Sequence, residues 1–390
     1  MLRTLGAGLL PALAGGAAAA TAQTAPPAPT PGAPAGPPDP PPGPAGTPPR
    51  AAADVSPVQY PPVLPGGTLA FPRDFGAHPA WRTEWWYLTG WLDAGGRAVG
   101  VQVTFFRSRT RHDDANPSRF APKQLLLAHA ALAIEGQAQL RHAQRAARAG
   151  FGLARFALED TDLAIGDWSL RRTRDDRYLA TIPAEGFRLD LEFRPEAPPF
   201  PQGDAGYSRK GPRPEQASRY YSRPQLDVRG SARLGSAGDG GAVQVRGKAW
   251  LDHEWSSELL DASAEGWDWV GLNLHDGSAL MAFRIRRKDG GVLWSHARWI
   301  GSTAPAAAPM FEPLRRWRSA RSGTTYPVEM LLTVGARRLR LVPLFDDQEL
   351  DTRASTGTIY WEGAMRVVED GREAGRGYLE LTGYAGQLRL

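Results

Sequence analysis

The chain repeats itself, and this limits its fold more than any single segment does. Trp85-x-Tyr87, a turn, and an apolar run ending Phe106-Arg107 are matched by Trp267-x-Trp269, a turn, and an apolar run ending Phe283-Arg284. Ala128-His129-Ala130 is echoed by Ser295-His296-Ala297. Gly230-Ser231-Ala232-Arg233 followed by Arg246-Gly247 is echoed by Gly363-Ala364-Met365-Arg366 followed by Arg376-Gly377. Landmarks that recur in one order imply a duplicated unit.

Each copy reads as β. Residues 85–92 are rich in strand-forming side chains and end at Asp93-Ala94-Gly95-Gly96, a turn signal. Residues 99–106 alternate, so the pair reads as a hairpin. Short strand-like runs continue to Tyr384 at the spacing of sandwiches and barrels. No long window has helical period; 143–149, 256–262 and 313–318 are where short helices would fit. The expected fold class is all-β, two tandem antiparallel β-barrels over residues 68–260 and 261–390. In a closed meander the first and last strands are neighbours. The tryptophan-rich strings would then meet at the junction of the two units, a common place for a ligand pocket.

The first 67 residues belong to neither unit. Residues 1–22 carry Arg3, a Leu/Ala/Gly-rich stretch and Ala20-Thr21-Ala22, the pattern of a cleaved secretory signal peptide. The stretch is too short and too Ala/Gly-rich for a good membrane span. Residues 23–67 form a Pro/Ala-rich linker: Gln23 to Gly66 holds 17 of the 35 prolines. Proline fixes φ and lacks the amide donor, so the linker is expected to be disordered or polyproline-like. A periplasmic or secreted location follows. With no cysteine, neither lipid attachment at Cys nor disulfides can contribute. The net charge is +5, with Arg scattered rather than clustered. No nucleic-acid motif is present, while peripheral attraction to anionic membrane surfaces stays open.

Three strings gather tryptophan with ionisable groups: Glu84-Trp85-Trp86-Tyr87, Asp252-His253-Glu254-Trp255 and Gly266-Trp267-Asp268-Trp269. Carboxylates and a histidine among apolar rings suit proton chemistry on an apolar substrate. Other chemistries lack their signatures. There is no Gly-x-Ser-x-Gly, and His253-Glu254 fails as a zinc motif because Ser257 stands where the second His is needed. No metal and no cofactor are expected.

With Trp250-Leu251 ahead of the second string and the closing Gly377-Tyr378-Leu379-Glu380-Leu381-Thr382-Gly383-Tyr384, these strings resemble the AttH/CrtC lipocalin-like family. The resemblance covers about residues 68–390 and implies a pair of lipocalin-like β-barrels. The family includes carotenoid 1,2-hydratases, which add water across the terminal C1=C2 bond of acyclic carotenoids without a cofactor. The resemblance implies catalytic roles for a His, a Trp two positions later, a Tyr and an Asp. The first two fall on His253 and Trp255 and the Asp on Asp268; Gly266 stands two residues before it, so the Tyr has no clear counterpart.

Alkene hydration needs an acid, a stabilised cation and a base for water. Asp268 would be the acid, its pKa raised by burial, or else a buried partner to a nearby Arg; Glu84 is a second candidate for the acid or for orienting His253. His253 would be the base. A Trp255 or Trp85 face would stabilise the cation by roughly 0.5–2 kcal/mol. Trp85, Trp86, Tyr87, Trp267, Trp269, Asp252 and Glu254 would contact substrate; their alternative roles are core filling and, for the acids, pairing with Arg. His129 and His296, which recur, read as structural. The function expected is a monomeric, cofactor-free hydro-lyase acting on an isoprenoid- or polyketide-like molecule, with Asp268, His253 and Trp255 around one cavity. The alternative is a non-catalytic periplasmic carrier or chaperone of lipophilic ligands, accessory to an envelope transporter.

Overall fold

The computed structural model describes residues 58–235, 241–258, 260–303 and 307–386. The expected leader and the linker up to residue 57 lie outside the described residues. Among the described residues the chain is nearly all strand, with 13 strands in one antiparallel sheet and nine in another. The first sheet runs from an opening strand, Thr83–Ala94, to a closing strand, Val243–Ser256. The second runs from Ala264–Leu274 to Arg372–Leu381. In each sheet the opening strand pairs with the closing one, as a meander requires.

Both sheets curl, the first into a nearly closed barrel and the second into a half-barrel. The second therefore departs from the full barrel expected. Helix is limited to a single 3-10 turn, Arg73–Phe75, among the described residues. The segments 143–149 and 313–318, where helices were allowed, lie largely in the strands Arg141–Arg148 and Met310–Arg318. Their neighbours Gln124–Ile134 and Thr325–Val334 supply ladder hydrogen bonds that local propensity does not reveal.

Strand alternation sorts side chains into three cores. Trp86, Leu88, Val103, Phe105, Leu251 and Trp255 fill the first interior. Val270, Leu272, Met330, Trp361 and Leu379 fill the second. The opposite faces carry Tyr87, Trp91, Trp250, Trp269, Phe283 and Tyr378, which pack the two sheets back to back. Side chains of one sheet also donate to main-chain carbonyls of the other. Trp91 Nε1 reaches Gly377 O at 3.0 Å, Asn273 Nδ2 reaches Ala249 O at 3.0 Å, and Gln225 Nε2 reaches Leu274 O at 2.9 Å. Gly100 lets the sheets approach, since a Cβ there would lie 2.5 Å from Ala364 Cβ and 2.6 Å from the Tyr378 hydroxyl.

The registers refine the repeat. His129 pairs with Thr104 and His296 with Phe283, at equivalent places. Phe106 faces Trp85, but Ile285 faces Trp267. Ile285-Arg286 is thus the counterpart of Phe106-Arg107, not Phe283-Arg284, because the second hairpin is shorter. Likewise Gly247 faces Leu92 while Gly375, not Gly377, faces Leu274.

Candidate functional site

Alternation divides the residues singled out from sequence among three places. Glu84, Trp86, His253 and Trp255 point into the first barrel. Asp268 points into the half-barrel beside Arg284 and Arg286. Trp85, Tyr87, Asp252, Glu254, Trp267 and Trp269 face the junction. Asp268, His253 and Trp255 therefore do not surround one cavity.

Inside the first barrel Glu84 anchors a buried network. Its carboxylate accepts from His78 Nδ1 at 2.7 Å, His253 Nε2 at 2.9 Å, Arg107 Nε at 2.7 Å and the His78 amide at 2.9 Å. His78 also meets Asp74 at 3.2 Å, and His253 Nδ1 meets the Tyr221 hydroxyl at 3.1 Å. Burial opposes the Glu84 charge, but Arg107 and the two histidines outweigh it and hold its pKa well below the usual range. Burial likewise opposes charge on His78, yet Asp74 and Glu84 raise its pKa. Burial pushes His253 down to about 4, so it is neutral at neutral pH. The His78 ring stacks on Trp255 at 3.6 Å, covering the face a cation would need, and His253 stacks on Trp86 at 4.4 Å. His253 is 0% exposed and Trp255 2%. His78, Glu84 and His253 lie close enough together to share a metal ion. Their ligand atoms already bind one another, and Arg107 sits alongside, so the set does not fit a further cation.

Asp268 is fully buried and fully engaged. Its oxygens accept from Arg284 Nε at 2.6 Å, Arg286 Nε at 3.1 Å and the Tyr384 hydroxyl at 3.0 Å. A carboxylate held by two guanidiniums and a phenol is a structural ion-pair centre, with no oxygen turned toward a cavity that His253 shares.

The junction gathers acids of another kind. Asp252 accepts from Tyr220 at 2.7 Å, Ser222 at 2.5 Å and Trp250 Nε1 at 2.7 Å, yet burial pushes its pKa up to about 7. Glu254 pairs with Lys210 at 2.9 Å and accepts from Ser218. Glu362 and Glu380 stand directly opposite one another on adjacent strands. Burial, then the Glu380 charge, holds Glu362 well above the ordinary range, and burial pushes Glu380 up to about 7. Glu362 Oε1 and the Tyr87 hydroxyl make no hydrogen bond of good geometry among the described residues, but Tyr87 and Tyr360 lie close enough to the Glu362 carboxyl to favour its charged form. Burial, then Glu362 and Glu380, raise the Tyr87 pKa well above its usual value. Glu380 is packed deep, yet solvent touches it, as it does Trp85 and Trp267. These residues share the face of each sheet that packs against the other.

Sequence reasoning missed Glu362 and Glu380 as functional residues. The signal was there: Tyr360-x-Glu362 and Tyr378-x-Glu380 alternate with Trp361, Leu379 and Leu381. Acids in strands that are apolar on the other face must point into a second buried layer. The register makes Asp252, opposite Tyr87, the counterpart of Glu380, opposite Trp269. Ser222, opposite Asp252, then corresponds to Glu362, opposite Glu380. The first copy gives its acid a hydroxyl donor; the second gives it another carboxyl. His129 braces this region neutrally, its pKa lowered by burial to about 3, between Tyr360 at 2.9 Å and Ser355 at 2.9 Å.

A cleft of about 970 Å³ opens at the other end of the junction. Trp91, Trp250, Gly271 and Tyr378 floor it, and Asp227, Arg246, Lys248 and Arg376 stand among its charged lining. Trp250 belongs to both regions, with its ring on the cleft and its N–H on Asp252.

Residues 62–384 match the AttH-like family. A crystal structure of a candidate AttH from Nitrosomonas europaea is 47% identical, covers 83% of this chain and 99% of its own, and superposes with a TM-score of 0.77. An acyclic carotenoid 1,2-hydratase of Rubrivivax gelatinosus is 27% identical over 173 residues. That stretch is 40% of this chain and 42% of the relative, so the chain spans less than half of that curated protein. Kievitone hydratase from Nectria haematococca shares the fold, with a TM-score of 0.61 at 13% identity over 83% of this chain and 97% of its own.

Proposed function

The chain belongs to the AttH-like family, and from that premise we propose that it is a cofactor-free acid–base enzyme of the hydratase type. Its active centre is the Glu362–Glu380 pair at the sheet junction, and its substrate is a lipophilic alkene of isoprenoid or polyketide character. The observation that carries the proposal is a buried carboxyl held well above the ordinary range directly opposite a second carboxyl that burial pushes up to about 7. Two acids that cannot both ionise divide into proton donor and proton acceptor.

The neutral member gives its proton to the terminal carbon as the π bond breaks, leaving a tertiary cation. Trp267 or Trp269 stabilises that cation by roughly 0.5–2 kcal/mol. Water attacks the cation and loses a proton to the ionised partner, which restores the pair. Tyr87, beside Glu362, positions the water or the product hydroxyl. The similarity to an acyclic carotenoid 1,2-hydratase supports this reaction type. The buried Glu84–His253 network braces the first barrel, against whose outer face the second sheet packs.

The test is incubation with acyclic isoprenoids in heavy-oxygen water. Label should enter the product with wild type and be lost in Glu362→Gln and Glu380→Gln, while His253→Gln should act through stability. Retained turnover in both Glu variants would refute the assignment.

The cleft beside Trp250 favours a second reading, a carrier of lipophilic ligands. Tight binding without label incorporation would select it. Export to the periplasm, action as a monomer and service to an envelope transporter belong to the same proposal; export rests on the leader sequence.

A further inference from the structure

Two loops at one end of the first barrel expose aromatic rings instead of burying them. Phe120 is 75% exposed, Phe151 54% and Leu153 50%. The two phenylalanines stack on each other at 5.5 Å, at an interplanar angle of 14°. Phe151 sits at φ +56° between Gly150 at +91° and Gly152 at +74°. Left-handed backbone is uncommon for a bulky residue, and such strain gathers at functional sites. Here the strained turn is what turns the ring outward.

Arg148 locks the arrangement. Its guanidinium lies 4.6 Å over the Phe151 ring and donates to the carbonyls of Phe120 and Arg119, both at 2.7 Å. Beside the rings is a basin of about 460 Å³ whose charged lining residues are Arg119, Lys123 and Arg148, with no carboxylate. The nearby Asp114 is taken up by Arg109 at 2.6 Å. Asp113 caps its own turn through the Ala115 amide. An exposed apolar tip ringed by cations is complementary to an anionic bilayer, with rings at the acyl boundary and headgroups against the basin.

We propose that this tip docks the protein peripherally on membranes rich in anionic phospholipid. The surface is separate from the sheet junction, so the proposal stands independently of the catalytic reading.

The test uses the full-length chain and co-sedimentation with vesicles of phosphatidylcholine, alone or mixed with phosphatidylglycerol. Binding to the anionic vesicles should exceed binding to the neutral ones by about tenfold and weaken with added salt. F120S/F151S and R119S/K123S should each lower it by about tenfold; any leader is common to all variants. Indole emission of F120W should shift to the blue and be quenched by brominated lipid. Equal binding to both vesicle types, no binding, or undiminished binding in F120S/F151S would overturn the proposal. Self-association of wild type that F120S/F151S abolishes, without vesicle binding, would also overturn it and assign the tip to a second copy of this chain.

Discussion

Replacing Glu380 by glutamine should make the protein more stable than wild type in mild alkali and leave it nearly unchanged in mild acid. The carboxyl faces Glu362 across the strand pair, and burial pushes its pKa from 4.5 up to about 7. A midpoint raised that far means that the folded protein holds the proton more tightly than the unfolded chain by about 3 kcal/mol. This stability is present in full below the unfolded pKa and is lost as pH rises through about 7. Solvent touching Glu380 screens part of the effect, so the loss between about pH 5 and about pH 8 should be about 1–3 kcal/mol. Glutamine keeps the shape and cannot ionise. Urea unfolding at the two pH values should give matching stabilities near pH 5 and a gap of that size near pH 8. Hydration activity should rise over the same range, because Glu380 becomes the ionised acceptor while Glu362 keeps its proton. If Glu380→Gln destabilises equally at both pH values, Glu380 is ionised and held by a favourable partner, and the dyad argument is wrong.

Asp268→Asn should cost about 3–5 kcal/mol in chemical denaturation, because Arg284 and Arg286 lose their common anion. Ligand affinity per folded molecule should stay at the wild-type level; a selective loss of turnover with unchanged stability would return Asp268 to the catalytic centre. Gly100→Val should cost about 1–3 kcal/mol, because the new side chain meets Ala364 and Tyr378 across the junction. Thermal unfolding checks it, and an unchanged midpoint would show that the sheets can part at this point.

The all-β architecture and the meeting of the tryptophan strings were legible from alternation and repetition. Trp85 against Glu254 and Tyr87 against Asp252 follow once the first and last strands are neighbours. The faces within one strand were legible too: Asp252 and Glu254 point away from His253, as period two requires. What stayed hidden was the layer each face meets. Trp255 looks free in sequence, but His78 arrives from a loop upstream of the opening strand and covers it. Asp268 sits between two tryptophans in sequence, yet its neighbours in space are arginines from the next strand. Glu362 and Glu380 meet only through the pairing of two late strands, and single-sequence spacing does not encode register. The repeat misled by small offsets for the same reason, since a shorter hairpin moves every later landmark.

The half-barrel has a consequence for how the chain comes to fold. The first barrel draws its interior and its strands from residues before 257, so its core can close while later segments are still being made. The second sheet cannot do the same. Its junction face carries Trp267, Trp269, Phe283 and Tyr378 together with two carboxyls, and only the finished outer wall of the first barrel covers it. The perturbed protons of the acid pair therefore belong to the docked state, since burial between the sheets is what raises both.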